Sequence, residues 1–185
     1  MGSLTLILGG ARSGKSSYAE KLALQSAGRV LYIATAQALD AEMAARIAVH
    51  KQGRPEGWQT LEIPRRVGQA LKTHAPPAEM ILVDCLTLLV SNLLMEATGE
   101  AGEADEQAAA ALVETEITDL LETIHASPAA WVVVSNEVGL GLVPPYPLGR
   151  IYRDLLGHAN QRLAAQADQV IFMIAGIPMR LAQME

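Results

Sequence analysis

A single cysteine, Cys85, stands in a chain of 185 residues. That excludes an internal disulfide framework and suits a reducing cytoplasm. Long hydrophobic runs are missing too. The opening "MGSLTLILGGARSGKSS" has no basic n-region, and its apolar run is cut short by glycines. It fits neither a signal peptide nor a membrane span, and no later run approaches the length that a bilayer requires. Positive charge is scarce, with 14 Lys and Arg against 20 Asp and Glu for a net charge of −6. A nucleic-acid binder would need a basic face, so that class is set aside. Neither repeats nor a linker divides the sequence, and its length fits one domain over 1–185. A cytoplasmic protein with no nucleic-acid partner and no membrane span is expected.

What is present is an alternation of strand and helix signals. Apolar runs at 4–8, 30–35, 80–85, 131–136 and 169–175 read as strands, and "WQTLEI" at 58–63 reads as another. Helical patterns fall at 14–26, 41–51, 86–98, from Leu112 to Ile124, and at about 150–166. Asp40 is placed to cap the second helix, in which Met43, Ile47 and His50 share a face. The acidic stretch 99–107 and the Gly/Pro-rich stretch 139–149 read as loops. Strands that are apolar throughout and alternate with helices predict a mostly parallel sheet covered on both faces. Ligands of such sheets bind beyond the carboxyl ends of the strands, here just after residues 8, 35, 84 and 135.

The first of those places holds "GGARSGKS", Gly9 to Ser16, which fits G-x-x-x-x-G-K-[ST] between a strand and a helix. Its glycines let backbone N–H groups turn toward phosphate oxygens, and the helix N-terminus adds its positive end. Lys15 is spaced to reach the β- and γ-phosphates, and Ser16 to bind Mg²⁺. Asp84 ends the run "MILVDC" as a Walker B acid does, a role compatible with capping the helix that begins at Leu86. Glu137 in "VVVSNEVG" reads equally as a metal ligand, a base, or a carboxylate that caps its own loop. Guanine recognition of the switch-GTPase type is absent, because Asn136-Glu137-Val138-Gly139 lacks the Lys and Asp of N-K-x-D.

The stretch "ARIAVHKQGRPEGWQTLE", 45–62, places His50 among Arg46, Lys51 and Arg54. A lone histidine is most often a surface residue. A neutral imidazole nitrogen, with an ordinary pKa of about 6.5, is also a good nucleophile at neutral pH. The basic neighbours are suited to neutralise phosphate charge in a transition state.

"GGARSGKS", "YIATAQALDAEMAARIAVHKQGRPEGWQTLE", "ILVDCLTLLVSNLL", "VSNEVGLGLVP" and "NQRLAAQADQVIFMIAGIPMRL" together resemble a known family. It is the bifunctional adenosylcobinamide kinase / adenosylcobinamide-phosphate guanylyltransferase family of cobalamin synthesis, and the resemblance runs from Leu4 to about Leu181. It implies a RecA-like P-loop domain that assembles as a homotrimer. It implies phosphorylation of adenosylcobinamide with ATP or GTP, then transfer of GMP from GTP through a guanylylated histidine that matches His50. The family's nucleotide contacts carry over onto Gly9, Gly10, Ala11, Arg12, Ser13, Gly14, Lys15 and Ser16, and onto Ala34, Thr35 and Ala36. They continue at Lys51, Gln52, Gly53, Arg54, Glu62 and Asp84, with Ser16 and Asp84 as the Mg²⁺ ligands. Where some relatives have a second histidine, this chain has Val49. Read from the residues alone, a P-loop kinase of a small alcohol and a non-enzymatic nucleotide-binding regulator remain open.

Overall fold

The computed structural model describes residues 2–26, 28–38, 41–52, 54–74, 76–98 and 104–181. The side chains of Glu42, Met43, Arg46, Val49, His50 and Gln52 lie outside the described ones, as do Asp40 and Gly53 altogether. In chain order the elements are β1 (Leu4–Gly9), α1 (Lys15–Gln25), β2 (Val30–Ala34), α2 (Ala41–Gln52), β3 (Gln59–Glu62) and α3 (Val67–His74). There follow β4 (Met80–Asp84), α4 (Leu86–Glu96), α5 (Glu106–Ala126), β5 (Ala130–Val134), α6 (Pro147–Gln166), β6 (Gln169–Ile174) and β7 (Ile177–Leu181).

The strands form one seven-stranded sheet in the order β3-β2-β4-β5-β1-β6-β7. Every pairing is parallel except that of β7 with β6. Alternate residues of each strand serve opposite faces. Leu4, Leu6 and Leu8 of β1 and Leu31 and Ile33 of β2 join the core made with α3, α4, α5 and α6. Ile7, Tyr32, Leu82 and Val132 pack on the other side with Ala19 and Leu22 of α1. Burial on both faces explains why these strands carry no polar alternation. The expected architecture is therefore present, and β4, β5 and β1 are neighbours at the centre of the sheet whose carboxyl ends lie side by side.

Four features differ from the sequence expectation. Helix α3 was not anticipated. It is short, contains Gly68, and owes its N-terminus to a distant acid: Glu116 of α5 accepts from the backbone N–H groups of Arg66 at 2.6 Å and Val67 at 2.8 Å. Strand β7 was also missed, since Pro178 argues against a strand, yet an edge strand tolerates the lost donor. Helix α5 begins at Glu106, inside the stretch read as loop, because Asp105 caps it by accepting from Ala108 N at 2.9 Å. Helix α6 likewise begins at Pro147, a residue well suited to a first helical turn.

Candidate functional site

Residues 9–16 leave β1 and enter α1 through a turn that only glycine satisfies at two points. Gly9 has φ 149°, and a Cβ there would stand 2.5 Å from the carbonyl oxygen of Met173. Gly14, with φ 93°, precedes the first turn of α1 in the left-handed region. The loop is also braced from outside: Gly176 N, in the turn between β6 and β7, donates to Ser13 O at 3.0 Å. The Ser13 hydroxyl is buried and has no protein partner.

Lys15 is buried at the head of α1, and its ammonium donates to Gly10 O at 2.6 Å, across the loop. Burial lowers its pKa, while Cys85 and Asp84 pull it back up. Burial also pushes the Cys85 thiol up to about 11, so at neutral pH Asp84 is the neighbour whose charge acts. Arg12 holds φ 56° at the tip of the loop and lines the cleft.

The cleft opens beyond the strand ends, as the sheet topology requires. Its volume is about 440 Å³, and its walls include Ala11, Arg12, Lys15, Ser16, Asp84 and Arg54. Asp84 ends β4, and its Oδ2 accepts from the Tyr32 hydroxyl at 2.7 Å. Ser16 and Asp84 thus face the same space, and a hydroxyl with an oriented carboxylate is an oxygen donor set that suits Mg²⁺ beside phosphate. Tyr32 also stacks on Trp58, with ring centroids 6.3 Å apart, and the Arg54 guanidinium lies 3.8 Å over the Tyr32 ring. Arg54 reaches Thr60 Oγ1 at 3.4 Å, while its buried Nε has no partner among the described residues. A guanidinium held over a ring with a donor to spare is prepared for an anion.

Most of the positions expected from sequence converge. Ala11, Arg12, Lys15, Ser16, Ala34, Ala36, Arg54, Glu62 and Asp84 all line the cleft. Lys51 forms an ion pair with Glu62. Thr35 is different: it is fully buried, donates to Cys85 O at 2.7 Å and accepts from Cys85 N at 2.8 Å. Its backbone oxygen is held by Asn92 at 2.9 Å. Thr35 therefore shapes the wall from behind. His50 belongs to α2, as expected, but its side chain, those of Arg46 and Gln52, and Gly53 lie outside the described residues. Ile47 of the same helix lines the cleft. Glu137 accepts from Gly139 N at 2.5 Å, the hydrogen bond of a loop cap, and borders a different cavity.

Sequence reasoning missed Tyr32, Trp58, Thr87 and Asn136. Tyr32 sits inside an apolar strand run, and only the fold brings it to Asp84. Thr87 Oγ1 accepts from Asn136 N at 2.7 Å and ties the ends of β4 and β5 together at the cleft floor.

Comparison with known proteins gives a consistent picture. A family model described as cobinamide kinase / cobinamide phosphate guanyltransferase matches residues 5–181. The bifunctional adenosylcobalamin biosynthesis protein CobU of Escherichia coli (strain K12) is 43% identical over 180 residues, covering 96% of this chain and 99% of the relative. CobU of Salmonella typhimurium is 44% identical over the same shares of both chains. The bifunctional adenosylcobalamin biosynthesis protein CobP of Pseudomonas aeruginosa is 44% identical over 176 residues, 95% of each chain. Among solved structures, the RadB recombinase superposes with a TM-score of 0.52 at 18% identity, covering 92% of this chain and 73% of that one. At that identity the likeness is one of fold, a RecA-like P-loop architecture.

Proposed function

Because the chain belongs to the cobinamide kinase / cobinamide phosphate guanyltransferase family, we propose that the single cleft beyond β1, β4 and β5 serves both reactions. The protein is a bifunctional enzyme of cobalamin biosynthesis, a kinase and a guanylyltransferase. Its domain spans 1–185, and it works in the cytoplasm. No described helix is long and apolar enough to cross a membrane.

In the first reaction the hydroxyl of adenosylcobinamide attacks the γ-phosphorus of ATP or GTP, the bond to the β-phosphate oxygen breaks, the nucleoside diphosphate leaves, and the hydroxyl proton goes to solvent. Gly9 to Ser16 hold the triphosphate, with Lys15 moving from Gly10 O onto the phosphates. Ser16 and Asp84 would hold Mg²⁺, which supplies charge neutralisation on the phosphates when bound. Positioning and charge carry most of such a transfer, and no strong base is required.

In the second reaction a neutral imidazole nitrogen of His50 attacks the α-phosphorus of GTP. The bond to the β-phosphate oxygen breaks, pyrophosphate leaves, and the imidazole proton goes to solvent. A phosphate oxygen of adenosylcobinamide phosphate then attacks the same phosphorus. The P–N bond breaks, the imidazole takes a proton back from solvent so that His50 is regenerated, and the product is adenosyl-GDP-cobinamide. Position 50 falls three residues after Ile47, a helical spacing that shares one stripe. Lys51, Gln52, Gly53 and Arg54 follow at once, and Arg54 stacked on Tyr32 is the observation that best supports phosphate binding at this wall.

We assign the oligomer, a homotrimer, to the exposed end of the sheet at β6 and β7, beyond the point where Phe172 meets the core. Phe172 and Ile174 stand opposite Met179 and Ile177 in register, so four apolar side chains share one face. Ile174, Ile177, Met179 and Leu181 are exposed in the single chain. A contiguous patch of that kind is typical of an interface.

The deciding experiment mixes the chain with α-labelled GTP and Mg²⁺, denatures it, and measures label retained on protein. Wild type is expected to carry an acid-labile, alkali-stable adduct, and His50→Ala none. Phosphorylation of adenosylcobinamide, followed by chromatography, should persist in the variant with at most a modest loss. Undiminished labelling would remove His50 and point to His74, His125 or His158. Equal collapse of both activities would favour a plain kinase in which His50 only contacts phosphate.

A further inference from the structure

Behind the nucleotide cleft lies a second cavity that the reactions described so far leave unused. Its volume is about 530 Å³, and it sits between α6 and the ends of β1 and β5, bordered by Leu8, Glu137, Gly139, Asn160 and Gln161. The wall shared with the cleft is thin. Leu8 directly precedes Gly9, Glu137 N donates to Gly9 O at 3.0 Å, and Asn136 lines the cleft itself. Asn160 holds that wall from the cavity side, its Nδ2 donating to Asn136 O at 3.0 Å.

Asn160 borders the cavity and is only 5% exposed, and its buried Oδ1 has no partner among the described residues. Buried amide oxygens in native proteins are almost always paired, so this orphan is an acceptor that a ligand's donor satisfies once the side chain turns into the cavity. Among the lining side chains Arg153 is paired with Asp154 at 3.0 Å, His158 lies 3.6 Å from Glu114, and Glu137 adds a carboxylate. The cavity is therefore built for a neutral polar group and poorly suited to a second polyphosphate.

From Gly139 on its rim, residues 139–146 run to the start of α6 without regular structure. Within them Leu140 is 81% exposed and Leu142 is 97% exposed, and Val143 and Tyr146 are exposed as well. Four large apolar side chains on one short exposed loop mark a contact surface.

We propose that this cavity and the 139–146 loop together form the acceptor site for the corrinoid. The proposal rests on the bifunctional reading given above. A nucleoside triphosphate held along the P-loop leaves no space for a macrocycle in a cleft of about 440 Å³. The bulk of the acceptor must then lie outside the cleft, yet close enough for its aminopropanol arm to enter. A corrin ring offers methyl-covered apolar surface and a fringe of neutral primary amides. The apolar surface matches Leu140, Leu142 and Val143, and an amide N–H matches Asn160 Oδ1, with Gln161 beside it to exchange further hydrogen bonds. The arm passes Asn136 toward the γ-phosphate during phosphorylation. It takes the same route when its phosphate receives GMP.

The test is steady-state kinetics on the full chain with adenosylcobinamide as the varied substrate, alongside adduct formation from α-labelled GTP in its absence. A double variant, Leu142→Ser with Val143→Ser, is expected to raise KM for adenosylcobinamide on the order of tenfold or more, since apolar contacts of this size discriminate to that extent. Gln161→Ala should raise it by a smaller factor. In both, KM for GTP and the rate of labelling should stay at wild-type values, a split that general loosening of the fold does not produce. An unchanged KM for adenosylcobinamide in both variants overturns the acceptor site, as does an equal rise in KM for GTP. If wild type fails to phosphorylate adenosylcobinamide at all, the bifunctional reading falls, and the acceptor site falls with it.

Discussion

Tyr32 holds two functional groups at once. Its hydroxyl donates to Asp84, and its ring carries the Arg54 guanidinium on one contact and Trp58 on another. Burial, and then the charge of Asp84, raise its pKa well above the ordinary tyrosine range, so it remains a donor at any working pH. Tyr32→Phe keeps the ring and releases the carboxylate. The Mg²⁺ concentration for half-maximal turnover should then rise several-fold while nucleotide affinity changes little. A Mg²⁺ titration that superposes on wild type would make Tyr32 a packing residue only. Asp84→Asn should impair Mg²⁺-dependent turnover more than nucleotide binding, because it removes the charge and spares the P-loop. Lys15→Ala should lower both activities by about a hundredfold or more, the usual worth of a charge aimed at a transition state. Robust guanylylation by Lys15→Ala would require a second nucleotide site.

Among the elements, those that carry the P-loop were legible because every cue is local. Glycines, lysine and serine fall in eight consecutive residues between an apolar run and a helical pattern. Asp84 was legible for the same reason. Tyr32, Asn136 and helix α3 were not, since each depends on a partner brought in by the fold. For α3 that partner is Glu116, only 4% exposed and aimed at the helix N-terminus. Removing it strands buried N–H donors, so Glu116→Ala should cost about 1–3 kcal/mol in denaturant unfolding. Burial raises the Glu116 pKa, outweighing the backbone donors that lower it. Its contribution is then complete below the unfolded carboxylate pKa and declines as pH rises through the raised folded value. Glu116→Gln should flatten that part of the stability–pH curve. An unchanged slope would show that burial and the donors cancel, and a slope change of the opposite sign that the donors win.

At the scale of the whole molecule, the edge of the sheet formed by β6 and β7 leaves apolar side chains exposed. Leaving Ile174, Ile177 and Met179 on one exposed face invites association through β6 and β7. Ile177→Asp with Met179→Asp should shift sedimentation toward the monomer while the single-chain fold, followed by circular dichroism, persists. A double variant that sediments like wild type would place the interface elsewhere. The turn at the end of this hairpin is the one whose Gly176 N–H is fixed to Ser13 O in the phosphate loop. On the interface proposed above, subunit contact and phosphate contact act on one hydrogen-bonded corner, and the two equilibria are then thermodynamically linked. Whatever factor GTP contributes to tightening the assembly, the assembly must return to the affinity for GTP, since such coupling is reciprocal. Titrations of GTP at protein concentrations above and below the dissociation range should give different affinities. For a trimer with one site per chain, the cube of their ratio equals the shift in assembly constant that saturating GTP produces.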